Sequence, residues 1–359
     1  MDWQFATGDA LTRKAWSKQL AHETIFETYV KRFMGKGPDS MIQIKEDLAK
    51  DAGDKITMGL LMVPTGPGIQ GDNIQSGTEG DLTYYNDSIV IDALSQAFRS
   101  GGKMSEKRVV MSFREDAMYG LKQWWGERLD TWFFNQIAGY TAETDSRYTG
   151  MQAAIAPDAN HIWRPNALAT DQAVQGDPTA VFKTVFLDKF LEMAKTLSPR
   201  IRPIKVEGEE YWVLFIHPYQ EYNLMNESGA PNKTFYDIQR AALQGGKFKD
   251  NPLFNGALGV YRNVIIHTSS RVPYGVHSAT AAAQTSVRRA IFCGAQSACY
   301  AVGGGKSNDT GEMFDWQEEK SNYGRKNGIS AQLIGGLKKS VYNGQDFATI
   351  VVPTYAVAH

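Results

Sequence analysis

From Ser105 to Ala138 apolar side chains recur every three or four residues, at Val109, Phe113, Ala117, Leu121, Trp125, Leu129, Trp132 or Phe133, and Ile137. A spacing held for about nine turns keeps one face of a helix apolar, so the stretch predicts a single long helix. Ser105 is suited to cap its start and Gly139 to stop its end. At 1.5 Å per residue the rod is expected to be roughly 50 Å long. Such a rod serves as the backbone of a flat subunit.

Two segments before it do not belong to a compact body. Asp9 to Arg32 reads as one or two short helices, with Leu11, Ala15, Trp16, Leu20, Ile25, Phe26 and Tyr29 apolar, broken by Gly35, Gly37 and Pro38. Ile56 to Val63 and Leu82 to Ile91 read as extended, with Pro64, Gly66, Pro67, Gly68, Gly71, Gly77 and Gly80 between them. That is a long hairpin with a loose tip. An arm and a protruding hairpin cannot bury their own polar backbone and apolar side chains, so something outside the chain is expected to cover them.

After the long helix, Asp177 and Pro178 open a second one that runs to about Lys195 and stops at Ser198 and Pro199. Tyr211 to His217, Val260 to His267, Ala290 to Gly294, Ile329 to Ile334 and Ala348 to Val352 then read as strands. Asn251 to Gly256 reads as a loop and Ser297 to Val302 as small-residue packing. The class is α+β, and 359 residues with 42% hydrophobic content allow two or three domains.

The chemistry of an enzyme is missing from the pattern. The six histidines are scattered without metal-ligand spacing, and Cys293 and Cys299 lack both zinc spacing and a nucleophile motif. They are expected to be reduced and buried. Gly305-Lys306-Ser307 lacks the glycine a phosphate loop needs five places earlier, where Tyr300 stands. Glu209-Glu210 and Glu318-Glu319 are adjacent pairs that face differently, so they read as solvated charge and not as an acid and base. Trp124, Trp125, Trp132, Phe133 and Phe134 fall at helical spacing and read as core. A net charge of -1 gives no basic footprint for gripping nucleic acid by bulk charge. No stretch approaches the ~20 apolar residues of a membrane span, and Met1 to Ala10 has no leader pattern, so the chain is expected to stay where it is made.

Several motifs in order carry a likeness. Gly71-Asp72, Gly77 and Glu79 precede the Leu82 strand, and Gly102-Lys103-Met104 leads into the helix from Arg108 to Gly139. Asn251-Pro252-Leu253-Phe254 is followed by Gly256, Gly259 and Tyr261-Arg262-Asn263-Val264, then by Ala290 to Gln296. Asp315-Trp316, Tyr323-Gly324-Arg325, Ile329 to Gly336 and Asp346-Phe347-Ala348 close the series. Together they resemble the major capsid proteins of tailed bacteriophages, most closely the podovirus-type branch. The resemblance spans nearly the whole chain and implies the HK-97-like phage capsid fold. Its parts would be an N-terminal arm (1–54), an extended β-hairpin loop (55–101), a peripheral domain with a spine helix (102–180), an axial domain (181–314) and return strands (315–359).

The resemblance further implies a non-enzymatic protein without cofactors or metals. It would assemble with itself into pentamers and hexamers of an icosahedral head around double-stranded DNA, which it contacts non-specifically. A scaffolding protein, a portal protein and a cement or decoration protein are the implied partners, with the host cytoplasm as the location before the virion. No membrane is involved. No charged N-terminal extension stands in for a built-in scaffold, and no cross-linking lysine and asparagine pair is identifiable. The residues expected at contacts between subunits are Trp16, Phe26, Pro64, Gly66, Gly71, Glu79, Asp81, Arg99, Lys103 and Arg108. Glu106 and Lys107 belong to the same charged stretch and can pair across subunits. The competing readings are a bacterial nanocompartment shell, a carbohydrate-acting enzyme, and a tail or baseplate protein.

Overall fold

The computed structural model describes residues 20, 28–45, 53–61, 70–71, 83–108, 112–206, 208–227, 257–303 and 314–358. The strands before the long helix are β1 (Met34–Gly35), β2 (Ile42–Lys45), β3 (Lys55–Leu61), β4 (Tyr84–Val90) and β5 (Asp92–Arg99). Beyond it come β6 (Ile204–Val206), β7 (Glu209–Ile216), β8 (Ala257–Tyr261), β9 (Val264–Thr268), β10 (Tyr274–Val276), β11 (Ala283–Cys293) and β12 (Ala298–Val302). The last are β13 (Phe314–Ser321), β14 (Lys326–Lys339), β15 (Val341–Tyr342), β16 (Gln345–Asp346) and β17 (Thr349–Tyr355). The helices are α1 (Lys103–Arg108), α2 (Phe113–Ile137), α3 (Asp171–Gln175), α4 (Val185–Thr196) and α5 (Pro218–Met225).

Two sheets organise the body. In the first, β1, β2 and β12 lie side by side in parallel, and β14 carries β12, β13 and β5, all antiparallel to it. At Gly335 the partners are Val302 on one side and Asp92 on the other, so β12 and β13 share one edge of β14 end to end while β5 takes the opposite edge. In the second sheet the order is β10-β11-β7-β9-β8, with β17 also on β11 and β6 also on β7.

The apolar run of β7 follows from its position inside that sheet. Val213 and Phe215 face α2, while Trp212, Leu214 and Ile216 face α4 and α5, so alternation leaves no polar side. The α2 face also gathers Tyr300, Leu333 and Leu337 from the first sheet, so one core joins both sheets. Phe33, Phe133 and Phe134 meet the ring of Phe215 edge-on with centroids 5.1, 5.6 and 5.5 Å away. Both cysteines are free and buried, as expected, and Trp125, Trp132, Phe133 and Phe134 are core residues. Among the described residues, no helix is long and apolar enough to cross a membrane.

The rod is shorter than its periodicity suggests. Ser112 adopts extended backbone (φ -85°, ψ 114°) and α2 starts after it, so its 25 residues span about 37 Å. Ser105 lies within the separate helix α1 instead of capping the rod. The periodic apolar positions that are described, Phe113 to Ile137, all fall in α2, and α1 buries no side chain. The C-terminal stop is as read: Ala138 is the cap and Gly139 takes φ +59°.

The second helix starts at Val185, later than Asp177, because the Asp177 side chain accepts from the Thr179 backbone and hydroxyl and closes a local turn. Val260 to His267 is a hairpin and not one strand: Arg262 and Asn263 both have positive φ, the geometry of a tight two-residue turn. Ser297 to Val302 contains a full strand, β12, beyond small-residue packing.

Buried charge ties the elements together. Asp171 accepts from Arg289 at 2.7 and 2.9 Å, from Arg164 at 2.8 and 2.9 Å and from the Val276 N–H at 3.0 Å. Burial pushes its carboxyl up, but Arg289, that N–H and Arg164 outweigh this and hold it below the usual range. The same Arg289 donates to the carbonyls of Ala138 and Gly139, which gives the end of α2 a cation where its dipole favours one.

Candidate assembly interface

The hairpin is where the chain departs most from its body. β3 and β4 pair in register from Lys55↔Val90 to Leu61↔Tyr84, and among the described residues they pair with no third strand. Their base is well held. Ile56, Ile89 and Ile91 pack on Cys299, Ala301 and Ile334, on the face of the first sheet turned away from α2. Lys338 on β14 pairs with Asp87 and donates to the Ser88 carbonyl at 2.9 Å, while the second Asp87 oxygen accepts the Val341 N–H at 3.1 Å. Gly336 lets this happen, since a Cβ there would collide with the Val90 carbonyl oxygen. Farther out the strands lose cover, and Tyr84 is 65% exposed.

At the other end of β5 lies a second junction. Arg99 donates to the Ser321 hydroxyl at 2.6 Å, and the Ser100 N–H to the Asn327 carbonyl at 2.8 Å. The Lys103 N–H donates to the Arg325 carbonyl at 3.2 Å, and Asn327 Nδ2 to the Glu106 carboxylate at 3.1 Å. These bonds fix α1 against the β13–β14 turn, where Asn322, Tyr323 and Gly324 all have positive φ.

The N-terminal segment enters the body at Tyr29–Phe33, a single 3-10 turn. Asp130, buried on α2, accepts the N–H groups of Val30 at 3.1 Å and Tyr29 at 3.3 Å, and pairs with Arg271 at 3.0 Å. Burial pushes its carboxyl up to about 6 against the pull of Arg271 and the two N–H groups. Leu20, from the stretch read as arm, is buried in the α2 core.

Of the expected contact residues, Arg99, Lys103 and Arg108 are exposed; Arg99 and Lys103 bond at the second junction and Arg108 ends α1. Gly71 is exposed with φ +69° and open space around its α-carbon. Trp16, Phe26, Pro64, Gly66, Glu79 and Asp81 lie outside the described residues, as do the Asn251–Gly256 loop and Gly305-Lys306-Ser307. Glu106, read as a partner for another subunit, is engaged by Asn327 within its own. The sequence reading missed Asp87 and Lys338, which pair across a separation invisible to local spacing, and Asp130, which sits inside an otherwise apolar helical face. Tyr323, quoted there only within the Tyr323-Gly324-Arg325 motif, is fully exposed on a turn whose neighbours Asn322 and Gly324 are turn residues.

The carboxylate pairs do not converge on a reacting centre. Glu318 receives Arg114 at 2.5 Å and the Trp316 indole N–H at 2.8 Å, and Glu209 and Glu210 sit exposed at the start of β7. Among the described residues, no group of three or more His, Cys, Asp or Glu is placed to hold a metal.

A joined two-sheet body, a long buried helix and a two-stranded hairpin held at its base and exposed at Tyr84 are the build of a shell-forming subunit. The chain belongs to the phage capsid protein family, whose model matches residues 4–358. It is similar to the major capsid protein of Pseudomonas phage KPP25, at 26% identity over 95% of this chain and 94% of that one. Its structure is similar to the capsid of Ralstonia phage GP4, with a TM-score of 0.77 and 28% identity, covering 100% of this chain and 99% of that one. The Cyanophage Pam1 capsid shares the fold, with a TM-score of 0.70, 18% identity and coverage of 100% and 97%. The sequence-based reading of a tailed-phage major capsid protein with the HK-97-like α+β fold is borne out. The nanocompartment, enzyme and tail readings gain no support.

Proposed function

We propose that this subunit builds pentamers and hexamers of an icosahedral head around double-stranded DNA, and that it does so without a catalytic step. In this reading the hairpin 55–101 of each copy reaches over a neighbour in its ring, and the N-terminal arm, 1–54, contacts adjacent subunits. Residues 102–180 with 315–359 form the peripheral domain around α2, although β17 from that range joins the second sheet. Residues 181–314 form the axial domain, which holds most of the second sheet, while β12 from that range lies in the first sheet. Pro64, Gly66, Gly71, Glu79 and Asp81 on the hairpin, Trp16 and Phe26 on the arm, and Arg99, Lys103 and Arg108 at the α1 junction are the contact residues.

The observation that carries this is the isolation of β3–β4. A two-stranded ribbon is marginal in water unless its face is covered, and among the described residues its fully buried anchor lies at the base, with Leu60 half-buried farther out and Tyr84 exposed. A neighbour supplies the cover. A closed ring repeats the same heterologous contact around its axis, so many modest contacts add through effective concentration. The expected partners are a scaffolding protein during assembly in the host cytoplasm, a portal protein at one vertex and a cement or decoration protein on the shell.

The test is negative-stain electron microscopy with light scattering of the intact chain and of a chain lacking Pro64 to Gly80, each with a scaffold co-expressed. Shells or ring capsomers from the intact chain alone, with both chains folded, support the reading. A monomeric intact chain, or shells from the deletion, overturns it.

A further inference from the structure

Where the chain crosses from the first sheet to the second, it buries a complete ion pair. β14 ends at Lys339, the short hairpin β15–β16 follows, and β17 starts in the other sheet at Thr349. Lys339 is the only buried lysine among the described residues, and Asp346, at the end of β16, is 2% exposed. Lys339 Nζ lies 2.7 and 2.9 Å from the two Asp346 carboxylate oxygens and donates to the Ile155 carbonyl at 3.0 Å. Removing water from two ions is costly, so such a site favours the neutral amine and the neutral acid. The buried Asp171–Arg289 pair has no such option, because a guanidinium keeps its proton.

Burial pushes the Lys339 ammonium below its usual range against the pull of Asp346, and pushes the Asp346 carboxyl up against the pull of Lys339. Proton transfer along their hydrogen bond then leaves an uncharged amine, a nucleophile, beside an uncharged carboxylic acid. With both oxygens in hydrogen-bond reach, Nζ lies about 3 Å from Cγ, the separation of a near-attack pair. The terminal torsion of an aspartate is soft, so the carboxyl can turn its face to the amine without leaving its site. A dyad holds the acid in place. Asp158 accepts the Asp346 N–H at 3.3 Å on one oxygen and pairs with His161 Nδ1 at 2.8 Å through the other. With Nδ1 donating to that carboxylate, His161 Nε2 carries a lone pair, and it is buried without a partner among the described residues. Asp346 feels both groups, Asp158 raising its carboxyl and His161 lowering it.

We propose that Lys339 and Asp346 join in an isopeptide bond within the chain, a covalent staple at the crossover between the two sheets. The amine nitrogen bonds to Cγ, and one carboxyl oxygen leaves as water with two of the three ammonium hydrogens. The third hydrogen stays on the new amide. Nothing is oxidised or reduced, and no co-reactant is needed. The amide keeps an N–H for the Ile155 carbonyl, so two buried charges give way to one neutral, hydrogen-bonded group. The bond closes a ring through Ser340 to Gln345, and β14 then cannot part from β16 without breaking it. It forms inside a single subunit and needs no contact with another.

The test is intact-mass and peptide-mapping mass spectrometry of the full chain, both free and in particles assembled with a scaffold. The folded chain is expected to weigh one water less than its sequence. Trypsin should cut after Lys338 but not after Lys339, so the loss is carried by the peptide Lys339 to His359. No backbone fragment ions should arise between Lys339 and Asp346. Lys339→Arg is expected to keep its full mass, since a guanidinium stays protonated. If that variant does not fold, the peptide map of the unaltered chain decides alone. The full sequence mass in both the free chain and the particles, with cleavage after Lys339, overturns the proposal and leaves the shell reading intact. A lost water with Lys339 still cleaved also overturns it, because the loss then lies in a succinimide ring at Asp346 or elsewhere. So does a loss that persists in Lys339→Arg.

Discussion

Asp130 places a carboxylate in the apolar core face of α2, where it holds the N–H groups of Tyr29 and Val30. Its pKa in the folded chain, about 6, lies above the ordinary 3.8. The folded state therefore binds the proton more tightly than the unfolded state. This group's contribution is fully present below pH ~4 and is lost as pH rises through 6, about 3 kcal/mol in all. Asp130→Asn removes that titration, so the slope of urea-unfolding free energy between pH 4 and 6 should flatten in the variant. Equal slopes in the two proteins would rule out the assignment. Asp171 has the opposite sign, since its pKa is held low and its contribution is lost as pH falls. Asp171→Ala strands Arg289 in the core and is expected to cost about 3–5 kcal/mol, read as a fall in the urea midpoint. Neither aspartate was legible in the sequence. A lone acid within an apolar stripe looks like a surface residue until its partner is known, and Arg289 is remote from Asp171 along the chain.

Among the elements, the hairpin was the most legible and its anchorage the least. Ile56 to Val63 and Leu82 to Ile91 predict β3 and β4 to within two residues, because strand alternation and glycine-rich turns are local signals. The anchor is not local: Lys338 reaches Asp87, and Gly336 makes room for the Val90 carbonyl. Lys338→Met should leave the Asp87 carboxylate buried without its cation. Amide exchange across β3 and β4 is then expected to rise by about two orders of magnitude, on a local loss near 3 kcal/mol, while α2 keeps its protection. Equal loosening of α2 would show that the pair supports the whole body and not the hairpin. The long helix fails as a prediction for the converse reason. Periodicity reports which face is apolar, and it passes unchanged across the extended backbone at Ser112.

At the scale of the whole molecule, the sequence suggests two or three domains, but the core binds the two sheets through one helix. Trp132 lies in a cluster that holds Leu333 and Tyr300 of the first sheet together with Val213, Phe215 and Ile291 of the second. The pairings that build those sheets join distant residues, as Arg99↔Gly328 does, so no window of sequence reveals them. A helix buried between two sheets cannot lose its packing on one without exposing apolar surface on the other. Trp132→Ala should therefore destabilise the body by about 3–5 kcal/mol as a single unit. Scanning calorimetry is expected to show one transition, with calorimetric and van't Hoff enthalpies equal in both proteins. Hydrogen exchange in β7 and β14 should accelerate together. If two transitions appear, or β14 loosens while β7 stays protected, the sheets are separate folding units and α2 belongs to only one of them. A single unit suits a shell, because strain at the hairpin base or the β13–β14 turn is then shared by the whole subunit and not absorbed at an internal hinge.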